Sequence, residues 1–415
     1  MKFIADFHIH SKYSRATSPQ ADLENLDKWA RIKGIKILGT GDFTHPQWFQ
    51  ELKEKLEPAE PGLFRLRNSD SDTRFILTVE VSSIYSRAGK VRKIHNLIFA
   101  PSFEVAEKIN AQLGWIGNLK SDGRPILGLD SKELLKIVLG ISDNCFFVPC
   151  HAWTPWFSIF GSRSGFDSIE ECFEEYSKYI YAIETGLSSD PAMNWRLSAL
   201  DSITLISNSD AHSPQKIGRE ANVFDTELNY FSIIEAIKKK NPQKFLYTIE
   251  FYPQEGKYHY DGHRSCGVSC SPQESKKYNN ICPVCGKPLT IGVLNRVEEL
   301  ADRPEGFKPE DVIPFKSLIP LKEIIAEALG VGSETKEVEK EYKNLIEHFS
   351  SEFSVLLDVS KQDLEKVTLP EISEGIIRAR EGKVYIEPGY DGVFGKIRIF
   401  SKGEKKELSK QKTLF

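Results

Sequence analysis

The sequence predicts an α/β protein that begins with a parallel sheet or barrel and continues into a metal-binding module and an α+β C-terminal part. Up to about residue 245, short apolar runs alternate with helix-like segments, which is typical of βαβ units. Histidine and carboxylate side chains stand at or near the ends of these apolar runs. Four of the seven cysteines are clustered at 266–285, which separates a second module from the first.

Predicted strands and helices alternate along the first part of the chain. We expect strands at Lys2–Phe7, Ile35–Thr40, Phe75–Val81, Ile94–Ala100, Cys145–Pro149, Tyr179–Glu184 and Ile203–Ser207. We expect helices at Asp22–Lys33, Pro46–Lys55, Phe103–Leu113, Ser131–Leu139, Asp190–Ala199 and Tyr230–Lys240. In α/β barrels the chemistry lies where such strands end, so those positions are the first candidates for a functional site.

The chain divides into four predicted segments. Residues 1–250 form the barrel with a multinuclear metal site, 251–292 a zinc-ribbon domain, 293–405 a helical or α+β domain, and 406–415 a flexible Lys-rich tail. Long charged helices are expected in the third segment, at Ile319–Leu329, Glu334–Phe353 and Lys361–Lys366. A β-like stretch with glycine turn points follows at Gly382–Phe400.

Composition narrows the class of protein. The formal net charge is -4, so no global basic field indicates a polyanion partner, although a local basic face remains open. We find no signal peptide and no apolar run of membrane-spanning length, and we expect a cytoplasmic protein without a membrane partner. Clustered cysteines beside the scattered Cys145, Cys150 and Cys172 indicate a reducing compartment and a metal site rather than disulfides.

The segment DFHIHSKYS at 6–14 is the centre of the predicted metal site. His8 and His10 share one face of a strand, and alone they could be either metal ligands or a core pair. Further candidate ligands stand at or near the ends of the other strands: Asp42, His45, Glu80, His95, His151, Glu184, Asp210 and His212. Such side chains bind Zn²⁺, Mn²⁺ or Fe, and so many of them imply more than one ion.

Six segments follow one another along the chain: HIH, GDF, a Glu-bearing strand, a lone His, PCH and SDAH. As an ordered set they resemble the motifs of the polymerase-and-histidinol-phosphatase (PHP) domain. The resemblance covers residues 1 to about 225 and implies a distorted (β/α)7 barrel with a trinuclear metal centre. It implies one ion on His8, His10, Glu80 and Asp210, a second on Glu80, His95 and His151, and a third on His212. Arg15 and Phe43 depart from the family pattern near the third ion, which Asp42 or His45 would have to complete.

Phosphate ester hydrolysis is the expected chemistry, because neighbouring divalent ions, here Zn²⁺, Mn²⁺ or Mg²⁺, activate water and clamp a phosphoryl group. Asp210 and Asp190 are the candidate catalytic carboxylates. Asp190 begins a predicted helix in GLSSDP, where an N-cap is the commoner role and a place facing the reaction centre is the alternative. Glu184 is expected to support the ligands through hydrogen bonds rather than to bind an ion itself.

Two close cysteine pairs predict a structural zinc site. Cys266 and Cys270 form the first pair, and Cys282 and Cys285 follow after eleven residues, with Gly286 next. Four thiolates presented by two turns hold Zn²⁺ tetrahedrally and supply the folding energy of a small zinc ribbon. His259 and His263 lie nearby as spare ligands or surface groups.

A barrel of this kind followed by a zinc ribbon and VLNRVEELADRPEG resembles the endonuclease Q family. The resemblance implies a DNA-repair enzyme that hydrolyses the phosphodiester 5′ of hypoxanthine, uracil, xanthine or an abasic site. It also implies metal-activated water and a base flipped into a pocket. Two alternatives remain open: a PHP-type phosphatase of small phosphate esters, and a non-catalytic nucleic-acid-binding protein.

Damaged DNA as a partner requires a slot for the extruded base and contacts for phosphates. Trp153, Trp156 and Phe157 directly follow His151 in HAWTPWF, so they are candidates for the slot, with packing at the barrel rim as the alternative. Arg15 and Arg196 are candidate phosphate contacts.

The last residues of the sequence suggest a further partner. Gln411–Phe415 (QKTLF) resembles the first half of a sliding-clamp binding box, with a short Lys-rich tail as the alternative interpretation.

Overall fold

Strands from most of the chain join in a mixed sheet in this computed structural model, which describes residues 1–401 and residue 404. In the described part, the strands are β1 (Lys2–Asp6), β2 (Ile37–Gly39), β3 (Leu56–Pro58), β4 (Phe64–Leu66), β5 (Arg74–Arg87), β6 (Lys90–Ala100), β7 (Ile126–Leu127), β8 (Phe146–Pro149), β9 (Ala182–Glu184), β10 (Thr204–Ile206), β11 (Ala221–Asp225), β12 (Phe245–Glu250), β13 (Asp261–His263), β14 (Val268–Cys270), β15 (Phe315–Ser317), β16 (Tyr385–Glu387) and β17 (Lys396–Arg398). All the strands predicted for the first part overlap observed ones.

Helices cover the sheet and build the C-terminal part. In the described part they are α1 (Leu23–Lys33), α2 (Pro46–Lys55), α3 (Phe103–Gly114), α4 (Ser131–Ile141), α5 (Ile169–Phe173), α6 (Pro191–Asn194), α7 (Tyr230–Lys238), α8 (Pro272–Lys277), α9 (Val293–Leu300), α10 (Leu321–Leu329), α11 (Lys336–Phe349), α12 (Glu352–Leu357), α13 (Lys361–Val367) and α14 (Pro370–Arg380). The single helix predicted at Glu334–Phe353 is broken at Ser350, whose φ is +70°.

Strand direction differs from the prediction of a parallel sheet or barrel. β1, β2 and β5 are parallel neighbours, but β5 and β6 run antiparallel over their whole length. The cause is local: Ala88 and Gly89 both have positive φ, and they close a tight turn between the two strands. A turn this short joins antiparallel strands, whereas parallel strands need a crossover of a dozen residues or more.

The barrel closes through single hydrogen bonds where regular pairing stops. β6 pairs with β8, and β9 pairs with β10. The amide N–H of Ala152 donates to the Glu184 carbonyl (2.9 Å) and bridges the ends of β8 and β9. On the other side, the Asn222 side chain of β11 accepts from the Ser207 N–H (3.0 Å), and β11 runs antiparallel to β1. The closed barrel therefore has a polar interior near the ends of β1, β8, β9 and β10.

The C-terminal part is attached to the barrel by strand pairing and ion pairs. β15 pairs in parallel with β12 and so adds a strand to the barrel sheet. Lys33 at the end of α1 forms a buried 2.7 Å ion pair with Glu352 of α12. Arg296 of α9 donates to the carbonyls of Phe160 (3.1 Å) and Phe166 (3.2 Å) in the barrel. These contacts fix α9, β15 and α12 against the barrel.

None of the described helices is long and apolar enough to cross a membrane. The predicted tail at 406–415, with the clamp-binding candidate Gln411–Phe415, lies outside the described residues.

Candidate metal centre

The HIH segment lies beside the SDAH segment, although two hundred residues separate them in the sequence. Ile9 and Ala211 form a parallel bridge, and the N–H of His10 donates to the Ala211 carbonyl (2.9 Å). The buried Asp6 carboxylate accepts from the Ser209 N–H (3.1 Å) and anchors this loop. As a result the Asp210 carboxylate stands 3.0 Å from Nε2 of His10.

Two groups of candidate ligands share Glu80. In each group the donor atoms lie within 4.8 Å of one another, and the groups are His8, His10, Glu80 and Asp210, and Glu80, His95 and His151. Oε2 of Glu80 is 3.2 Å from Nε2 of His10, whereas Oε1 is 2.6 Å from Nδ1 of His95. These are the sets that the PHP resemblance implies for the first and second ions.

Divalent cations fit this donor set. Nε2 of His8 is fully buried and has no hydrogen-bond partner among the described atoms, and carboxylate oxygens of Glu80 and Asp210 lie 3.6 and 3.7 Å from it. Imidazole nitrogens and carboxylate oxygens in one buried cluster are the donors that Zn²⁺, Mn²⁺ and Fe prefer. An ion would satisfy the orphaned nitrogen and the crowded carboxylates together.

Electrostatics of the first group, around His8, favour positive charge, whereas burial at His95 in the second group outweighs the neighbouring Glu80 carboxylate and lowers the pKa of His95 to about 4. Burial opposes ionisation of Glu80, but the field of His95, Arg124 and His8 outweighs it and holds the pKa of Glu80 well below its usual value. Burial likewise opposes protonation of His8, yet the Glu184 carboxylate beside it raises the pKa of His8 well above the ordinary value. A site that stabilises protons on imidazoles in this way also stabilises metal cations in their place.

Glu184 contacts two of the candidate ligands, in keeping with its predicted supporting role, and its carboxylate also lies in a third candidate group with His8 and Cys150. Its carboxylate lies 3.0 Å from Nδ1 of His8, accepts from the Asn208 amide (2.8 Å) and accepts from the His151 N–H (2.9 Å). An imidazole that donates from Nδ1 keeps Nε2 free for an ion, and outer carboxylates of this kind orient metal ligands.

The backbone at two ligands is strained. His151 has a φ of +29° and Asp210 a φ of +47°, in a region that residues with side chains rarely adopt. A Cβ on Gly186 would lie 2.5 Å from Cβ of His151, so only glycine fits behind that ligand. Strain of this kind collects at functional sites, because the surrounding structure must hold it.

The structure does not place Asp42 as a ligand, contrary to the expectation for a third ion. Asp42 is fully buried and accepts from Ser11 N–H (2.7 Å) and the Ser14 hydroxyl (2.9 Å), and it lies 3.1 Å from Nδ1 of His10. A Cβ on Gly123 would lie 2.3 Å from its Oδ2, so the carboxylate is enclosed. Asp42 therefore orients His10 from behind.

No third ligand group forms around His212 within the described part of the chain. Nδ1 of His212 lies 2.9 Å from the Asp210 carbonyl, and its ring lies 4.4 Å from the ring of His10. His45 stacks on Tyr13 at a ring distance of 4.4 Å instead of turning to the centre. His212 thus stands at the rim of the two groups as a partly exposed imidazole.

A cleft of about 440 Å³ leads to the two groups. Its lining includes His95, His151, Asp210, Arg15, Asp122, Arg124, Ile126, Trp156 and Phe157. Trp156 is 46% exposed, whereas Phe157 packs on the His95 ring at 4.7 Å. Trp153 is fully buried and donates to Oδ1 of Asn194 (2.8 Å), so its proposed place in a base slot is wrong and it is a packing residue.

Two further candidates from the sequence have other roles. Asp190 is the N-cap of α6 and accepts from the Met193 N–H (2.8 Å), outside both ligand groups, so its proposed catalytic role is not supported. Arg196 is buried and pairs with Glu298 of α9, which takes it out of the cleft. Arg15 keeps its predicted access to solvent, with 72% of its side chain exposed at the cleft.

Arg124 is a site residue that sequence reasoning missed. Its guanidinium lies 3.1 Å from Oε2 of Glu80, and the charge of Glu80 raises the pKa of Arg124 further. The residue belongs to the loop before β7, which is held against the loop after the HIH segment because the Gly123 N–H donates to the Tyr13 carbonyl (3.0 Å). No motif or spacing distinguishes it among the 55 Lys and Arg residues of the chain.

The cysteine cluster holds a histidine in place of one predicted cysteine. Donor atoms of His263, Cys266, Cys282 and Cys285 lie within 4.8 Å of one another, and Nδ1 of His263 is 3.6 Å from Sγ of Cys285. Cys270 is buried beside Leu289 instead. On the hairpin β13–β14 His263 pairs with Val268, and Cys270 lies two residues beyond, about 7 Å farther from the turn.

Solved structures resemble this chain over its whole length. The crystal structure of the lesion-specific endonuclease PfuEndoQ from Pyrococcus furiosus has a TM-score of 0.87 and 32% identity, and the match covers 100% of each chain. A structure of endonuclease Q with a 27-mer duplex that carries an abasic lesion at the active site has a TM-score of 0.84 and 32% identity. That match covers 97% of this chain and 98% of the other.

Sequence relatives extend the comparison. YqxK of Bacillus subtilis is 30% identical over 418 residues, covering 96% of this chain and 99% of YqxK. MJ0043 of Methanocaldococcus jannaschii is 36% identical over 314 residues, covering 73% of this chain but 36% of MJ0043, so the match spans about a third of that relative. The family model of the MJ0043 C-terminal domain matches residues 320–383, which contain α10 to α14.

Proposed function

The chain belongs to the endonuclease Q family, and from this premise we propose that it is a metal-dependent DNA-repair endonuclease that cuts one strand beside a damaged nucleotide. The substrates proposed are duplexes with hypoxanthine, uracil, xanthine or an abasic site, cut on the 5′ side of the lesion. The observation that carries the proposal is the pair of buried ligand groups that share Glu80 at the floor of an open cleft.

Divalent ions would be held by the two groups, one ion in each, with Glu80 common to both. Bound ions of this kind supply an activated water and stabilise the charge of a phosphoryl group during in-line displacement. The protein itself provides the fixed geometry: Glu184 and Asp42 orient the imidazoles of His8 and His10. Ligands locked in this way lose little entropy when the substrate binds.

Arg124 is proposed to hold the scissile phosphate. Its guanidinium already stands at the edge of the centre, 3.1 Å from Glu80, where a phosphate oxygen would approach. Arginine presents paired N–H donors to a phosphate and remains charged at all relevant pH values. Arg15, exposed on the same wall, would contact a neighbouring phosphate of the DNA backbone.

The extruded nucleotide is proposed to lie in the cleft against Trp156. This ring is partly exposed and stands on the loop that follows the ligand His151. A cleft of about 440 Å³ is within the size range of pockets that bury a small ligand. Stacking on an aromatic ring suits a base of any identity and contributes about 1–3 kcal/mol.

The module at 261–290, called the knuckle from here on, is proposed to hold one structural Zn²⁺ on His263, Cys266, Cys282 and Cys285. Four protein donors leave no open position for a substrate, so this ion would serve folding and not catalysis. The knuckle precedes α9, which docks on the barrel through Arg296, and thus sets where the cleft meets the C-terminal part.

The test uses labelled duplexes with hypoxanthine, uracil, an abasic site or no lesion, incubated with the full chain and with the Glu80→Gln variant. We expect nicks 5′ of the lesions and none in undamaged DNA, and we expect the variant to bind lesion DNA without cutting it. Mapping the product ends on a sequencing gel gives the position of the cut. Release of phosphate from small monoesters without any cleavage of duplexes would contradict the proposal and indicate a phosphatase.

A further inference from the structure

Three exposed hydrophobic side chains lie on two neighbouring segments beside the cleft, and one of them, Ile126, lines it. Trp115 is 89% exposed, the highest value among the exposed large hydrophobic residues of the described part of the chain, and Ile116 and Ile126 are 38% and 51% exposed. A single exposed hydrophobic residue is ordinary, but a cluster beside a substrate cleft indicates a contact surface.

The cluster is presented on a fixed backbone. Trp115 closes α3, and the N–H groups of Ile116 and Gly117 both donate to the Leu113 carbonyl at 3.0 Å. Leu113 is fully buried, as are Ala106 and Ile109 earlier in the helix. An indole that a firmly packed helix holds in solvent contributes little to the stability of the fold. Its exposure therefore indicates contact with an external partner.

The cluster is continuous with the catalytic cleft. Gly117 lies against β7, since a Cβ there would be 2.5 Å from the Leu127 side chain and 3.6 Å from the Ile126 carbonyl. Ile126 lines the cleft and pairs with Ser82, two residues after Glu80. Trp115 and Ile116 therefore stand next to the strand that carries Ile126 into the cleft, while Trp156 lines the same cleft from the loop after His151.

Charge near this cluster suits a nucleic acid. Arg15 and Arg124 line the cleft together with Ile126, and Lys120 is exposed in the loop between Gly117 and β7. Asp122 is the acidic residue of that stretch, and it is buried and engaged by Arg15 at 3.3 Å. Exposed positive charge next to an apolar tip is the arrangement of proteins that insert side chains between base pairs.

We propose that Trp115 and Ile116 form a wedge that enters the duplex at the step vacated by the damaged nucleotide, while that nucleotide lies against Trp156. This inference rests on the proposed endonuclease function. Extrusion of a nucleotide costs unpairing and unstacking of its neighbours. An indole that stacks on the exposed neighbouring bases replaces the lost stacking and keeps the lesion from returning.

A wedge can fill the gap left between neighbouring base pairs only in a duplex. Its loss should therefore lower activity on a duplex and not on a single strand. The experiment measures kcat/KM for nicking of one lesion in a duplex and in the corresponding single strand, with wild type, Trp115→Ala and Trp115→Phe. We expect Trp115→Ala to lower the duplex value by about 10- to 100-fold, the range that loss of one stacking contact represents, and to leave the single-strand value unchanged. Trp115→Phe should recover most of the duplex value.

A matched control is Phe231→Ala on α7, because this ring is also exposed, at 47%, and lies outside the cleft lining. It should leave both values unchanged, and thermal unfolding should show that every variant folds. A readout independent of cleavage is the anisotropy of end-labelled lesion DNA, titrated as duplex and as single strand with each change placed in the Glu80→Gln background. Trp115→Ala should weaken binding to the duplex by about 10- to 100-fold and leave binding to the single strand unchanged.

Several results would overturn the wedge. Equal losses on duplex and single strand in Trp115→Ala would identify a general DNA contact instead, and unchanged values on both would remove Trp115 from recognition altogether. The proposed function fails separately, if wild type nicks no lesion substrate at all, and the wedge then fails with it.

Discussion

In the barrel, the candidate ligands His8, His10 and Glu80 are buried, and the carboxylates of Glu184 and Asp42 contact the two imidazoles from behind. In the knuckle, Cys285 is exposed and the buried apolar cluster consists of Cys270, Cys282 and Leu289. The barrel ligands lie within a core that extends through the whole sheet, whereas the knuckle has almost no core of its own.

This difference predicts opposite roles for the two kinds of ion. Where a large core already fixes the ligands, an ion adds chemistry and its removal leaves the fold in place. Where a few residues are buried, coordination itself supplies the folding free energy. Variants of the two sites should therefore separate activity from local stability.

The largest effect on activity is expected from Asp210→Asn. An amide is a poor ligand, so we expect the nicking rate to fall by about 10³-fold or more, equivalent to the several kcal/mol that a metal contributes to transition-state stabilisation. The melting temperature should change by only a few degrees, as the barrel core is untouched. Rates on a lesion duplex and thermal unfolding provide the two measurements.

Asp190→Asn is the matched control for this change, since Asn caps a helix about as well as Asp and Asp190 lies outside the ligand groups. It should retain both activity and stability. Full activity in Asp210→Asn, or a comparable loss in Asp190→Asn, would contradict the assignment of the centre.

Cys282→Ser tests the knuckle. We expect the chain to lose one equivalent of zinc and to become sensitive to protease within 261–290, because the thiolate contributes to the folding energy of that segment. The unfolding temperature of the barrel should stay nearly unchanged. Elemental analysis and mass mapping of the first cleavage sites measure the two effects, and intact zinc with intact protease resistance would refute the site.

His263→Ala and Cys270→Ala together decide the fourth ligand. Loss of a direct ligand should weaken zinc binding by more than the roughly 100-fold that loss of an outer partner costs. Cys270→Ala should keep the zinc and lose only a little packing against Leu289. Zinc retained after dialysis against a graded series of chelators ranks the variants, and the reverse order would restore the four-cysteine set predicted from the sequence.

Glu184→Gln measures the value of support behind the barrel ligands. Its carboxylate touches His8 and the backbone of His151, and an amide cannot serve all the same donors. We expect the metal concentration needed for half-maximal nicking to rise by about 10- to 100-fold, with activity recovered at saturating metal. An unchanged metal titration would show that the strained loop alone holds the ligands.

The smallest effect on activity is expected from Glu250, buried in the barrel wall away from both ligand groups. Burial raises the pKa of Glu250 from 4.5 to about 8. Between these values the folded state keeps a proton that the unfolded state has released, so this group's contribution to stability falls as pH rises, by at most about 1.4 kcal/mol per pH unit. Glu250→Gln should remove this dependence of stability on pH. The measurement is the unfolding free energy of the wild type minus that of the variant between pH 5 and 8, which should decrease as pH rises. A difference that stays constant with pH would disprove the raised pKa of Glu250.

Much of the barrel site was determined by sequence alone. A strand places every second side chain on one face, so HIH specified two neighbouring imidazoles. Metal ligands come from a small set of residue types, and the resemblance of the motifs from His8 to His212 to the PHP domain implied which histidines and carboxylates belong together. The two groups of candidate ligands that share Glu80 are the sets that this resemblance implies for the first two ions.

Only the tertiary structure decided roles that depend on burial and on distance between remote segments. Trp153 and Trp156 are three residues apart and look equivalent in sequence, yet one is fully buried and the other 46% exposed. Asp42 is enclosed by Gly123, a contact between residues eighty-one positions apart, and Arg124 reaches Glu80 from the same loop. Residue type and local spacing carry no information about such contacts, because they arise from how distant elements pack.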